Sequence, residues 1–332
     1  MNSKIEHFEF QDIELGSRPR LNFIPILTPI RTISGLVKVF RHGADLSPTR
    51  PVIITYHDIG MNSSSNFKSF FNHQSMGSIL KKFCVIHINA PGQEDKSTRL
   101  PDNYFYPSMD QLADQIGAVC SYYEIRHFIG LGVGAGANIL SRFALKYPDF
   151  VDGLFLINCT STQASWTEWS YQKLNSHHLR RVEAQDPIPQ SVVDYLLWHN
   201  YGLLNEASNG DLIFLFKQYF ADKSIHPFNL ANFISVYIAR SDLHIERTSS
   251  ESASNCGLNF KCPVLMLVGS WSAHIEDTIY MNTRLNPEQT TWMKLDDCGM
   301  PLEERPGKVS EALRLFIQGL GYTLPTVEGI DG

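Results

Sequence analysis

The sequence predicts an α/β fold: a doubly wound, mostly parallel sheet with a helical cap inserted before its last two strands. Three observations predict it. From about residue 22, short apolar runs rich in β-branched residues alternate with amphipathic helical stripes. Near residue 160 the alternation gives way to a long polar and aromatic stretch, and near residue 259 it resumes. Such alternation covers both faces of a parallel sheet with helices. The core is therefore expected over 22–160 and 259–323 as one discontinuous domain, the cap over 161–258, and loose termini over 1–21 and 324–332.

The elements follow in order. LVKVFRHG (36–43) reads as a strand, and Gly35 before it turns the chain back on ILTPIR in a hairpin. PVIITYHD (51–58) and FCVIHINAPG (83–92) are short apolar runs ended by Gly or Pro, the pattern of strands buried on both faces. Residues 108–123 read as a helix. Ser108 is its N-cap, Asp110 lies in its first turn, and Met109, Leu112, Ile116, Val119, Cys120 and Tyr123 form one stripe. FIGLGV (128–133) is the next strand and Ala135–Tyr147 the next helix, followed by the strand VDGLFLINC (151–159). The cap stretch carries helical segments at 191–198 and 211–220. Then come the strand PVLMLVGS (263–270), a helix near 276–285 and the strand TTWMKLDDCG (290–299). A last helix puts Val309, Leu313, Phe316, Ile317 and Leu320 on one face.

The composition is ordinary for a globular chain: 332 residues, 43% hydrophobic and 19% charged. A formal net charge of −6 gives no basic face for nucleic acid. It is also the wrong sign for an anionic membrane, although a local basic patch leaves peripheral contact open. None of the six cysteines belongs to a C-x-x-C pair, so neither a zinc site nor a dithiol motif is indicated. The N-terminus is polar and acidic, and no run of about 18 apolar residues occurs. The expectation is a cytoplasmic, reduced protein with no transmembrane segment and no cofactor.

The strand–turn–helix at FIGLGVGAGANILSRFAL has the context of a nucleophile elbow, G-x-S-x-G, in which small residues permit a sharp turn beside a neighbouring strand. Here it reads Gly132-Val133-Gly134-Ala135-Gly136, with Gly134 where the serine belongs. In α/β hydrolases the base follows the last strand as G-H before a helix. The matching piece, Gly299-Met300-Pro301, puts Met300 there. The acid usually follows the penultimate strand as G-x-x-D, and Gly269-Ser270-Trp271-Ser272 puts Ser272 there. Nucleophile, base and acid are thus all replaced while the frame persists, which predicts a protein that is not an enzyme. The glycines are expected to serve strand–helix packing. A ligand pocket opened at Gly134 is the alternative, and the loose G-x-G-x-x-A match to a dinucleotide loop lacks its acidic ribose partner.

Tyr56-His57-Asp58-Ile59-Gly60 occupies the oxyanion loop, and His57 and Asp58 are the only ionisable residues expected near Gly134. His57 is expected to be a structural histidine. The competing reading makes the pair an unconventional hydrolase or lyase site. Trp166 and Trp169, three apart, are expected to pack the cap onto the core; the alternative is an exposed anchor for a partner.

These residues resemble one family. PVIITYHDIGMNSSSNFKSFFN, HINAPGQEDKS, FYPSMDQLADQI, FIGLGVGAGANILSRFALKYPDFVDGLFLIN and PGKVSEALRLFIQGLGY are similar to signature stretches of the N-myc downstream-regulated (NDRG) family, over about residues 24–323. The resemblance implies an inactive α/β-hydrolase fold. It also implies cytoplasmic signalling, differentiation or stress response carried out through protein partners, with a small ligand in the vestigial pocket left open. One branch of the family carries a Ser/Thr-rich tail, which has no match here, so tail-dependent regulation does not carry over.

Overall fold

The computed structural model describes residues 26–33, 35–183, 186–205, 208–247 and 258–324; of the expected loose termini 1–21 and 324–332, all but Leu324, which packs against the core, lie outside them. The strands are β1 (Ile26–Thr32), β2 (Gly35–Gly43), β3 (Val52–Tyr56), β4 (Cys84–Ile88), β5 (Phe128–Val133), β6 (Val151–Ile157), β7 (Val264–Gly269) and β8 (Thr290–Leu295). The helices are α1 (Ser63–Phe71), α2 (Gly77–Lys82), α3 (Met109–Tyr122), α4 (Ala135–Lys146), α5 (Trp166–Arg180), α6 (Gln190–Tyr201), α7 (Gly210–Ala221), α8 (Pro227–Ile238), α9 (Ile275–Arg284), α10 (Pro301–Glu304) and α11 (Pro306–Gly319).

The strands form a single sheet in the order β1-β2-β4-β3-β5-β6-β7-β8. β1 and β2 form the hairpin expected at Gly35, β2 pairs antiparallel with β4, and the remaining pairings are parallel. The residues of β3, β4 and β5 are buried throughout, because helices cover both faces there. β1 and β8 are the edges, and Thr291 to Lys294 of β8 are exposed. The order jumps from β4 back to β3 and on to β5, so loops at their carboxyl ends diverge and leave a crevice, the usual place for a site in an open α/β sheet.

α3 starts as its sequence requires. Ser108 accepts from the Gln111 N–H, and the Gln111 side chain returns to the Ser108 N–H. Such a cap is worth about 1 kcal/mol. α1 and α2 have no counterpart among the expected elements. The serine-rich start of α1 looks like a loop, but Asn62 accepts from Ser64 and Ser65 and turns it into a helix. Four helices, α5 to α8, stand between β6 and β7. No helix among the described residues is long and apolar enough to cross a membrane.

The end of α6 meets the core with no space for a side chain. Gly202, at φ +71°, has room for no Cβ: one would lie 1.7 Å from the Trp271 carbonyl oxygen. A Cβ on Gly299 would lie 1.6 Å from the Tyr201 carbonyl oxygen. The Leu203 N–H donates to that same Trp271 carbonyl at 2.9 Å.

Candidate functional site

β3, β5, β6, β7 and β8 run parallel, so the segments following them share one edge of the sheet. Asn158, after β6, ties three of these ends together. Its Nδ2 donates to the Gly299 carbonyl at 2.9 Å, and its Oδ1 accepts from the Gly269 N–H at 3.4 Å. Gly134, Ser272 and Met300 therefore lie on the same carboxyl edge.

The elbow glycines are explained by close approach. A Cβ on Gly132 would lie 2.6 Å from the Ala137 Cα, and one on Gly136 would lie 2.1 Å from the Tyr56 carbonyl oxygen. Gly134 has φ +50° and ψ −113°, and a Cβ there would lie 2.1 Å from the Asp58 carboxylate. The idea that Gly134 opens a pocket is thus overturned, because Asp58 fills the space.

Asp58 is fully buried. Its Oδ1 accepts from the N–H groups of Ile59 at 2.7 Å and Ala135 at 2.8 Å, one just beyond β3 and the other at the start of α4. These are the amides that form an oxyanion hole in an acyl-transferring site of this topology. Its Oδ2 lies 3.1 Å from Nε2 of His199, which comes from α6. Burial pushes the Asp58 carboxyl up. The charge and hydrogen bond of His199, the charge of His274 and the Ala135 amide together outweigh burial and hold it below the usual carboxylate range.

His57 uses both ring nitrogens. Its Nδ1 lies 2.7 Å from the Asp58 carbonyl, which can only accept, so Nδ1 carries the proton; Nε2 accepts from the Ala90 N–H at 3.0 Å. Burial holds its pKa down at about 4, and the ring is a neutral clamp between the ends of β3 and β4. Gly60 has φ +74° and faces Leu196 of α6. Ser272 is buried, and its Oγ accepts from the His274 N–H at 3.1 Å. Met300 is fully buried; its N–H and that of Gly299 both donate to Oε2 of Glu304 at 2.7 Å.

His57 and Asp58 are not the only ionisable groups beside Gly134. The cap supplies His199, and the His199 and His274 rings meet edge to face with centroids 4.5 Å apart. Nδ1 of His274 is 3.5 Å from Oδ2 of Asp277. Burial lowers the His274 pKa, but the Asp277 hydrogen bond and the Asp58 charge outweigh it, and the net shift is upward. Burial likewise raises Asp277, and His274, Arg240 and His199 outweigh that, holding it low. A row, Asp58–His199–His274–Asp277, buried except for its half-exposed last member, thus runs from the elbow outward. Asp277 is paired with a histidine, His274. His199, the partner of Asp58, sits 141 residues from it in the chain, and no local spacing announces it.

This row borders a cavity of about 450 Å³ between α5, α6 and the start of α9, with Glu168, Tyr171, Tyr195 and Trp198 on its walls. Glu168 is bound on both oxygens by Arg240, at 2.8 and 2.7 Å. Trp166 and Trp169 do not pack the cap onto the core. They are 77% and 38% exposed and stack on each other with ring centroids 5.3 Å apart. The reason is their place on the outer face of the first turn of α5, while Gln172, Asn175, Ser176 and Leu179 further along are the residues buried. Among the described residues no group of three His, Cys, Asp or Glu side chains is placed to hold a metal ion.

Solved structures similar to this chain include a thermophilic esterase from Thermogutta terrifontis, with TM-score 0.71 and 18% identity, covering 90% of this chain and 100% of that one. Another is the enol-lactonase from Burkholderia xenovorans LB400, with TM-score 0.66 and 14% identity, covering 88% and 100%. They establish the α/β-hydrolase fold. In sequence the chain is 40% identical to Protein NDRG3 of Xenopus laevis over 88% of this chain and 75% of the relative. It is 37% identical to Protein NDRG2 of the same species, over 90% and 78%. The family model described as Ndr family matches residues 28–324, and the chain belongs to that family.

Proposed function

We propose that this chain is a non-catalytic α/β-hydrolase-fold protein that acts in the cytoplasm, in signalling, differentiation or stress response, through protein partners. The observation that carries the non-catalytic reading is the position of Asp58. Acyl transfer needs amide donors aimed at an oxygen that becomes negative only in the transition state. Here the Ile59 and Ala135 amides are already held by a resident carboxylate, which also fills the space a nucleophile's Cβ would need. Ser272 and Met300 offer neither acid nor base.

The test is labelling by a fluorophosphonate together with p-nitrophenyl acetate turnover. No labelling is expected, and no turnover above that of an equal mass of inert protein. Removing a serine nucleophile alone costs on the order of 10⁶ in kcat. Stoichiometric labelling would refute the reading. The partner half rests on the exposed Trp166–Trp169 stack, since tryptophan is enriched at interface hot spots. Affinity capture from cytoplasm, with wild type against Trp166→Ala, tests it.

A second reading makes the chain a hydrolase or lyase with an unconventional site, and one observation favours it. His199 pairs with Asp58 as a base pairs with its orienting acid, and it borders an open cavity. Turnover that survives purification and disappears in His199→Asn would establish it. Nucleic acid has no support in the charge, and a cofactor has none in the site.

A further inference from the structure

The row of buried histidines ends in two nitrogens with nothing to bind. Nε2 of His199 faces the Asp58 carboxylate, which only accepts, so that nitrogen carries a proton and Nδ1 is left with no protein partner. Nδ1 of His274 faces Asp277 in the same way, and Nε2 of His274 is buried without a partner. Both side chains are more than nine-tenths buried and both line the same cavity. Buried polar atoms are nearly always hydrogen-bonded, and leaving one unmet is costly. The buried, unmet Nε2 of His274, with Nδ1 of His199 on the neighbouring ring of the same lining, indicates a group that the protein alone does not supply.

The surroundings specify that group. Every charged side chain of the lining already has a counter-charge: Glu168 has Arg240, Asp277 has His274, and Asp58 behind the floor has His199. A ligand with a full charge would find no unpaired counter-ion and would lose its hydration on entry. A hydroxyl needs none. It can donate to the lone pair on Nδ1 of His199, and its oxygen can accept from Nε2 of His274 when that ring carries a proton on both nitrogens, with Asp277 as its counter-charge. The walls above are Tyr171, Tyr195 and Trp198, broad apolar rings suited to a flat body. About 450 Å³ lies in the usual range for small-molecule pockets.

We propose that the cavity between α5, α6 and the start of α9 binds a neutral aromatic molecule bearing a hydroxyl, seated on His199 and His274. The site lies beside the blocked elbow, and it stands whether or not the non-catalytic reading does.

Titration calorimetry on the full chain with 2-naphthol, 2-naphthoate and 2-naphthylmethylammonium tests this with one ring body and three head groups. Saturable one-to-one binding of 2-naphthol is expected, at least tenfold tighter than either charged analogue. His274→Phe removes one hydrogen bond and should weaken it about tenfold, the loss of a buried bond of ordinary strength. Ala273→Trp fills the cavity from a half-exposed position of its lining while leaving both histidines in the sequence, and should abolish binding with the circular dichroism spectrum unchanged. If His274→Phe does not fold, Ala273→Trp decides alone. Absence of saturable 2-naphthol binding overturns the proposal, as does tighter binding of a charged analogue or undiminished binding in Ala273→Trp. Hydrolysis of 2-naphthyl acetate is measured in parallel. Turnover would overturn the non-catalytic reading and leave the pocket standing, whereas failed binding without turnover does the reverse.

Discussion

The carboxylate of Asp58 and the bare α-carbon of Gly134 occupy one another's space: a methyl group on Gly134 would sit 2.1 Å from the carboxylate. The two positions are therefore coupled. Each accounts for the residue found at the other.

From this coupling we expect Gly134→Ser to destabilise the protein rather than revive it. Overpacking and strain at φ +50° together amount to at least about 3 kcal/mol. Gly134→Ala should behave alike, and adding Asp58→Ala should recover part of the loss, a coupling of at least about 1 kcal/mol. Urea unfolding of the two single variants and the double variant measures it. Strict additivity would show that the contact does not matter.

Asp58→Asn and Asp58→Ala should differ widely. Asparagine can still accept the Ile59 and Ala135 amides and donate to Nε2 of His199 in its other tautomer. Alanine leaves both amides unmet and a void, at a cost of about 3 kcal/mol or more. Equal melting temperatures for the two variants would contradict the hydrogen-bond assignment.

The pattern of what the sequence disclosed follows from range. β5, the elbow and α4 are local: FIGLGV, three spaced glycines and an amphipathic stripe lie within twenty residues, and the clashes that demand glycine are with α4 itself or with the end of β3 and the residues just after it. The hairpin at Gly35 and the cap of α3 at Ser108 are local as well. His199 follows directly on the helical segment expected at 191–198 and lies within α6, yet its contact with Asp58 depends on how the whole cap settles on the core, and α6 carries no motif for that. The Trp166–Trp169 spacing defines a helix face without saying what the face meets. α5 turns those rings outward and buries Gln172, Asn175 and Ser176, which read as a solvent face.

Trp166→Ala should consequently change stability by less than about 1 kcal/mol, as expected of an exposed position. The expected loss is in captured partners, read by mass spectrometry of the eluate. A fall of several kcal/mol would restore a packing role.

Glu303 gives a pH signature. Burial pushes its carboxyl up to about 7, against the relief of the Tyr201 hydroxyl that donates to it. In the unfolded chain the group ionises near pH 4.5, so its contribution is full below that pH and is lost as pH rises through 7. Glu303→Gln has no such loss. The difference in melting temperature, variant minus wild type, should become more positive from pH 5 to pH 8 by differential scanning fluorimetry. A flat or falling difference would place the ionised carboxylate in solvent.

The two glycines at the end of α6 bear on how the molecule comes apart. With Gly202 against the Trp271 carbonyl and Gly299 against the Tyr201 carbonyl, backbone meets backbone, and neither side can slide without breaking the Leu203–Trp271 hydrogen bond. A lid that swung on α6 would have to tear that seam. The helices above the sheet should therefore open only when the sheet itself does. The slowest amides of α6 and of β7 should exchange with a common free energy, one cooperative unit spanning both layers. A bulky residue at either glycine would split that unit in two.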